Sequence, residues 1–194
     1  MGLCDILIDA DIVRNCEEPF FGGYENIGYI VNKDDIKEYS VYDGVYLESF
    51  SLKEGKKAYK IESIGSQPTP TTQTFVKGKY YNKWNTLVNL VLLEHSPDAV
   101  NNIISPMASG ASFVVLLKHK SNVRFAPEGI NGGSGAWEVF GLTKGLTLQD
   151  GASREEYNEE LDGGWNLPLE ENGAPRPSYF ISEVLIEDLK TPAV

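Results

Sequence analysis

Short runs of alternating apolar and polar residues, separated by turn signals, limit the folds open to this chain more than any other feature. Residues 45–52 have this pattern between the dipeptides Asp43-Gly44 and Glu54-Gly55. Such alternation is typical of β-strands that bury one face. Further strands are expected at 24–31, 58–64, 79–94, 111–119, 137–141, 146–149, 164–169 and 179–184. The sequence therefore predicts a mainly β protein of eight or nine strands.

One segment, residues 96–109, has the pattern of a helix. Ser96 can cap its first turn, Pro97 suits its first position, and Gly110 follows its end. Pro106 is expected to distort the last turn. An apolar stripe at helical spacing, expected to pack on a sheet, consists of Val100, Ile103, Ile104 and Met107. We therefore expect one flanking α-helix.

The length and the even composition predict a single domain over residues 1–194. A chain of 194 residues falls in the usual range of one domain. An N-terminal segment, 1–23, precedes the strands, and residues 65–78 are polar and interrupted by prolines, which predicts an extended loop. Since closure or face-to-face packing hides strand edges, the expected architecture is an antiparallel β-barrel or sandwich.

The charge of the chain argues against several partners. Lys and Arg total 17 against 28 Asp and Glu, which gives a net charge of −11. From Gln149 onward there are eleven acidic and three basic residues, so the charge is concentrated near the C-terminal end. This balance disfavours adhesion to nucleic acid or to an anionic membrane. The apolar runs are also far below the ~20 residues of a membrane-spanning helix, so no membrane partner is expected.

The residue types needed for catalysis or metal binding are sparse. Cys4 and Cys16 are the only cysteines, too few for a disulfide scaffold, and are expected to be free thiols. Of two histidines, His119 lies between lysines and is expected at an exposed strand end. The acidic run 155–162 is predicted to be a solvated loop rather than a pair of glycosidase carboxylates. We therefore expect no enzyme activity, cofactor or metal.

Several short motifs occur in an order that resembles a known family. Residues 137–146 have the pattern W-x-V-x-G-x-x-x-G-L, followed by the acidic stretch 149–162 and by the segment Gly164-Trp165-Asn166-Leu167. Cys4 and the pair Gly22-Gly23 precede them. In this order the chain resembles the tail tube proteins of Bacteroidetes-infecting bacteriophages, loosely over 1–30 and more closely over 58–184. A long stretch at 122–135 and the tail 183–194 depart from the family pattern.

The resemblance implies a structural virion protein. Such subunits would associate in rings of six copies that stack into a hollow tail tube, through which DNA leaves the capsid. The implied partners are further copies of the chain and other tail proteins, in a virion tail made in the bacterial host cytoplasm. A negatively charged lumen fits this role because it repels phosphates and lets DNA pass without binding.

Two sets of residues are candidates for roles in such a tube. The candidates for an arm between stacked rings are Gln67, Pro68, Thr69, Pro70, Thr71, Thr72 and Phe75. The candidates for the lumen, expected to face outward from strands, are Glu48, Lys60, Glu62 and Glu138.

Two alternatives to a tail tube stay open. A tail terminator or neck ring protein would share the fold and form a single ring. A β-sandwich carbohydrate-binding module would use Trp84, Trp137 and Trp165 as stacking platforms. Against the second, the tryptophans alternate with apolar neighbours as core residues do, and no secretion signal is recognisable at the N-terminus.

Overall fold

The computed structural model of the chain describes residues 23–62, 71–92, 96–120, 137–155 and 164–192. They form two β-sheets and few helices, which confirms the prediction of a mainly β protein. The twelve strands are β1 (Tyr24–Asn32), β2 (Ile36–Tyr42), β3 (Tyr46–Leu52), β4 (Tyr59–Glu62), β5 (Thr71–Val76), β6 (Lys83–Leu92), β7 (Phe113–His119), β8 (Trp137–Phe140), β9 (Thr147–Leu148), β10 (Ser153–Glu155), β11 (Gly164–Ala174) and β12 (Tyr179–Ile181).

The larger sheet has seven strands in the order β2-β3-β12-β8-β7-β1-β4. Its neighbours are antiparallel except for β12 and β3, which are parallel. The smaller sheet has the order β10-β11-β6-β5, and β9 also pairs with β11. Across the described ranges neither sheet closes on itself, so the barrel form of the prediction is not observed.

Two apolar clusters form the core. The inter-sheet cluster draws on both sheets and consists of Tyr24, Val88, Leu90, Leu92, Met107, Phe113, Val115, Leu117, Phe140, Leu146, Leu167 and Leu169. The α3 cluster includes residues of the C-terminal helix α3 (Glu183–Leu189) and consists of Tyr29, Val31, Leu47, Phe50, Leu52, Ala58, Val114, Leu116, Trp137, Val139, Leu142, Ile181, Ile186 and Leu189. Successive residues of β7 alternate between the clusters, as the pleat requires, so both faces of this strand are buried.

The predicted helix is present as three consecutive segments: α1 (Pro97–Ala99), a π-helical turn (Val100–Ile104) and α2 (Ser105–Ala108). The Ser96 hydroxyl accepts a hydrogen bond from the Ala99 N–H at 3.2 Å, which confirms the cap. Met107 is 2% exposed and lies in the inter-sheet cluster, which confirms the packing of the stripe. The irregular turn lies before Pro106, and the last turn is α-helical, contrary to the prediction that Pro106 distorts it.

Four elements differ from the expectation, and the twelve strands exceed the eight or nine predicted. One of the four is the strand β10, which was not predicted. Residues 183–189 form the second helix α3, so the prediction of a single helix is wrong. Ile36–Tyr42 form the unpredicted strand β2. Thr71–Val76 form β5 within the predicted loop 65–78, because this threonine-rich run pairs with β6 along its whole length. In the described part of the chain, no helix has the length and apolarity that crossing a membrane requires.

Candidate functional site

The β5–β6 hairpin, residues 71–92, is set apart from the rest of the chain by its charge. Residues 63–93 contain no Asp or Glu and three lysines, in a protein whose net charge is −11. The rest of the chain therefore carries −14. Such segregation of charge suits a surface that meets an acidic partner.

The end of this hairpin exposes aromatic rings. Tyr80 is 86% exposed, Tyr81 69% and Phe75 50%. The Lys79 ammonium lies 5.3 Å from the centroid of the Tyr80 ring, and the Phe75 ring packs edge-on against Trp84 at 5.4 Å. Large rings held on a hairpin next to a cation are the groups that protein interfaces favour.

A glycine shapes the connection between the two strands of the hairpin. A Cβ atom on Gly78 would lie 2.0 Å from the Tyr81 carbonyl oxygen, so only glycine allows the backbone to pass this close. This close approach holds the exposed tyrosines near the end of β5. The shape of the tip therefore depends on a contact between two residues that are three positions apart in the sequence.

The larger sheet ends in two edge strands, β2 and β4. In the described part of the chain, no further strand pairs with the outer side of either one. On β2, Tyr39, Val41 and Tyr42 are 39%, 37% and 50% exposed. On β4, Tyr59 is 48% exposed. The strand order makes β2 and β4 run in opposite directions. The edge strand β2 has seven residues and β4 has four. Edge strands with exposed apolar side chains are templates for pairing with another chain.

The predicted arm residues fall into two groups. Gln67, Pro68, Thr69 and Pro70 lie outside the described residues. Thr71, Thr72 and Phe75 lie on β5, paired with Val88, Leu87 and Trp84 of β6. The prediction that these three belong to a loop is wrong, because β-branched and aromatic residues fit a strand pair.

Of the four lumen candidates, three are exposed and one is buried. Glu48, Lys60 and Glu62 are exposed, and Lys60 and Glu62 form an ion pair with each other. Glu138 is only 6% exposed, so the prediction that it faces outward is wrong. The strand β8 lies in the middle of the larger sheet, and both of its faces are covered. The alternation of its residues cannot reveal that the second face is covered as well.

A polar network, the Glu138 cluster, surrounds this buried carboxylate and reaches the surface at Gln73, which is exposed. It consists of Tyr24, Thr71, Gln73, His119, Glu138 and Ser178. Glu138 Oε2 accepts from the Tyr24 hydroxyl at 2.7 Å and lies 2.8 Å from His119 Nε2. Glu138 Oε1 accepts from the Gln73 amide at 3.2 Å and from the Ser178 hydroxyl. Both oxygens are thus fully used within the protein.

The ionisation of this cluster follows from its contacts. Burial favours the neutral form of Glu138, but hydrogen bonds from His119, Ser178 and Tyr24 outweigh it and hold the pKa of the carboxyl below its usual value. Burial, together with the charge of Glu138, raises the pKa of the Tyr24 phenol. Glu138 is therefore a buried anion and Tyr24 a neutral donor at neutral pH.

The prediction of an exposed His119 is wrong, because its side chain is 11% exposed and faces Glu138. Its neighbour Lys118 points to the other face of β7, where its ammonium lies 3.5 Å from the Glu183 carboxylate. Adjacent residues of a strand face opposite sides, so the flanking lysine does not share the histidine's surroundings.

Of the three tryptophans, one is buried and the other two, Trp84 and Trp165, are half-buried. Trp137 is 3% exposed in the α3 cluster. Trp84 packs against Phe75, and the Arg154 guanidinium lies 5.7 Å from the Trp165 ring. The described residues also hold no group of three or more potential metal ligands.

Comparison with known proteins identifies no relative. No protein-family model matches the chain, and neither a curated protein nor a solved structure is significantly similar to it. The likeness to tail tube proteins therefore rests on the order of the sequence motifs.

Proposed function

We propose that this protein is a non-enzymatic structural subunit that associates with copies of itself into stacked rings, forming a bacteriophage tail tube. The observation that carries the proposal is the cationic, aromatic hairpin on an otherwise acidic chain. A surface of one sign beside a body of the other is complementary to a second copy in a head-to-tail arrangement.

The hairpin supplies the contact between rings in this proposal. Its lysines meet the acidic surface of the next copy, and Tyr80 and Tyr81 provide apolar area that is buried on contact. The attraction is longest-ranged at low salt, because added ions screen exposed charges. Stacking is therefore expected to weaken as salt concentration rises.

The edge strands supply the contact within a ring. Addition of β2 of one copy to β4 of the next extends the larger sheet, and the opposite directions of these strands make the new pair antiparallel. This contact is heterologous, so it closes into a ring when the rotation between copies divides a full turn.

In the proposed subunit the two sheets, which share the inter-sheet cluster, pack as a sandwich, and the acidic surface faces passing DNA, which it repels. The protein would be made in the cytoplasm of a bacterial host and reside in the virion tail, in contact with other tail proteins.

Negative-stain electron microscopy and mass in solution, over a range of protein and salt concentrations, test the proposal. Hollow tubes are the expected result. Single rings that never stack would favour a tail terminator or neck ring protein instead. A monomer at every concentration at low salt would contradict self-assembly.

A charge-reversal pair tests the hairpin itself. Lys79→Glu is expected to raise the protein concentration needed for stacking on the order of tenfold. Lys190→Glu is the matched control, because its ammonium also lies near a tyrosine ring, 5.6 Å from the centroid of Tyr29, and is outside both the hairpin and the edge strands. An equal effect of both variants would show that only the net charge matters and would remove the hairpin from the mechanism.

A further inference from the structure

We infer that Glu138 is an acid-sensitive latch that holds the β5–β6 hairpin on the seven-stranded sheet. The geometry is independent of the proposed function: β5 belongs to the smaller sheet, and Glu138 lies on β8 of the larger one. Two hydrogen bonds join them, from the Gln73 amide to Glu138 Oε1 at 3.2 Å and from the Thr71 hydroxyl to the Tyr24 hydroxyl at 3.4 Å.

The latch matters because β5 has little else to hold it on the larger sheet. It is an edge strand that pairs with β6, and it contributes no residue to either core cluster in the described part of the chain. Buried apolar contacts anchor β6 through Val88, Leu90 and Leu92. The outer strand of the hairpin is therefore the element most sensitive to loss of polar contacts.

Protonation of Glu138 would weaken this arrangement. An ionised carboxylate only accepts, so it satisfies the four groups that meet its two oxygens, and Nε2 is then the protonated nitrogen of His119. The Tyr24 and Ser178 hydroxyls and the His119 ring can also accept a hydrogen bond, whereas the Gln73 amide nitrogen can only donate. Because a neutral carboxyl is a weaker acceptor than a carboxylate, the bond from Gln73 is the one that protonation of Glu138 weakens. The latch is thus closed while Glu138 is an anion.

The titratable and charged groups near Glu138 determine the pH at which it takes up a proton. Tyr24 on β1 and His119 on β7 are the titratable groups that face it, whereas β5 and the segment before β12 supply the neutral Gln73 and Ser178. Lys118 lies on the opposite face of β7, beside Glu183. Since the carboxyl is more acidic than usual, the latch stays closed at neutral pH and opens only as the solution becomes strongly acidic.

Hydrogen exchange of the full chain, followed by mass spectrometry under conditions where it is monomeric, tests the inference without reference to assembly. At pH 7, Glu138→Gln is expected to lower the protection factors of β5 by about tenfold or more, because a bond to a charged acceptor is lost. The protection of β7 should fall much less. In the wild type, lowering the pH should produce the same selective loss in β5, after correction for intrinsic exchange rates.

Two further variants make the outcome decisive. Glu62→Gln removes an exposed carboxylate and should leave β5 unchanged. Gln73→Ala removes only the donor from β5 and leaves the Tyr24, His119 and Ser178 contacts to Glu138, so it tests the latch even where Glu138→Gln unfolds the chain. Unchanged β5 protection in Gln73→Ala, or a loss spread evenly over both sheets, would overturn the latch and leave Glu138 as a general stabiliser of the fold.

Discussion

Replacing Val114 or Val115 by alanine removes two buried methyl groups from one core cluster or the other. Both residues are 0% exposed on β7, with Val114 in the α3 cluster and Val115 in the inter-sheet cluster. Loss of two methyl groups costs about 1.6 kcal/mol in transfer free energy, and the cavity left behind raises the total to roughly 2–3 kcal/mol. Because the two side chains stand on adjacent residues of one strand, each change should destabilise the whole fold equally.

Urea denaturation followed by tryptophan fluorescence and by far-UV circular dichroism measures this effect. Both variants are expected to unfold in urea in one transition, with the two signals coincident. In a separate thermal scan, the melting temperature of each should be lowered by about 4–12 °C. Trp137 lies in the α3 cluster and Trp165 packs against the inter-sheet cluster, so fluorescence reports on both. Val184→Ala, at a side chain 51% exposed, is the control and should change stability by no more than about 0.5 kcal/mol.

Two results would refute the reasoning. A biphasic transition in either variant would show that the clusters unfold separately, and the prediction of a single domain would fail with it. A loss below about 0.5 kcal/mol in both variants would show that β7 is not packed on both faces.

Three further predictions concern single residues. Gly141→Ala should cost about 2 kcal/mol more than Gly55→Ala in thermal unfolding: both glycines have positive φ, but only at Gly141 would the new Cβ lie 2.7 Å from the Phe113 carbonyl oxygen. Because its pKa is lowered in the folded state, Glu138 should contribute stability at neutral pH that is lost as the pH falls through its folded-state pKa, and Glu138→Gln should flatten this part of a stability-against-pH curve. Ser96→Ala should lower the free energy of unfolding by about 1 kcal/mol in urea, since it removes the helix cap.

The sequence was most informative where a periodic pattern coincided with a turn or a cap. The strands β1, β3 and β7 and the helix that begins after Ser96 follow from alternation, from glycine turns and from capping. The helix α3 was missed, although Ser182 stands at its cap position and Ile186 and Leu189 are at helical spacing. The preceding strand β12 has only three residues, so the apolar residues of the strand and of the first turn of the helix were interpreted as one strand over 179–184.

The candidate site was harder to predict because it depends on contacts between sheets. The alternation along β8 correctly places Glu138 and Val139 on opposite faces of the sheet. It does not show that other parts of the chain cover both of these faces. Glu138 becomes a buried anion only because β1, β7 and the segment before β12 bring donors to it from distant parts of the chain. By contrast, the sequence alone shows that residues 63–93 contain no acidic residue. The structure adds that most of this stretch is the β5–β6 hairpin, whose end exposes aromatic rings.

The parallel pairing of β12 with β3 has a consequence for biosynthesis. The three residues of β12 join the β2–β3 hairpin to the rest of the larger sheet. They leave the ribosome about 130 residues after β3, which at ~5–20 residues per second is roughly 6–26 s. During that interval Leu47 and Phe50 are on a strand whose inner edge has no native neighbour, and such edges mispair. We therefore expect the yield of native protein in a cell to depend on how well the nascent β2–β3 hairpin is shielded until β12 has been synthesised.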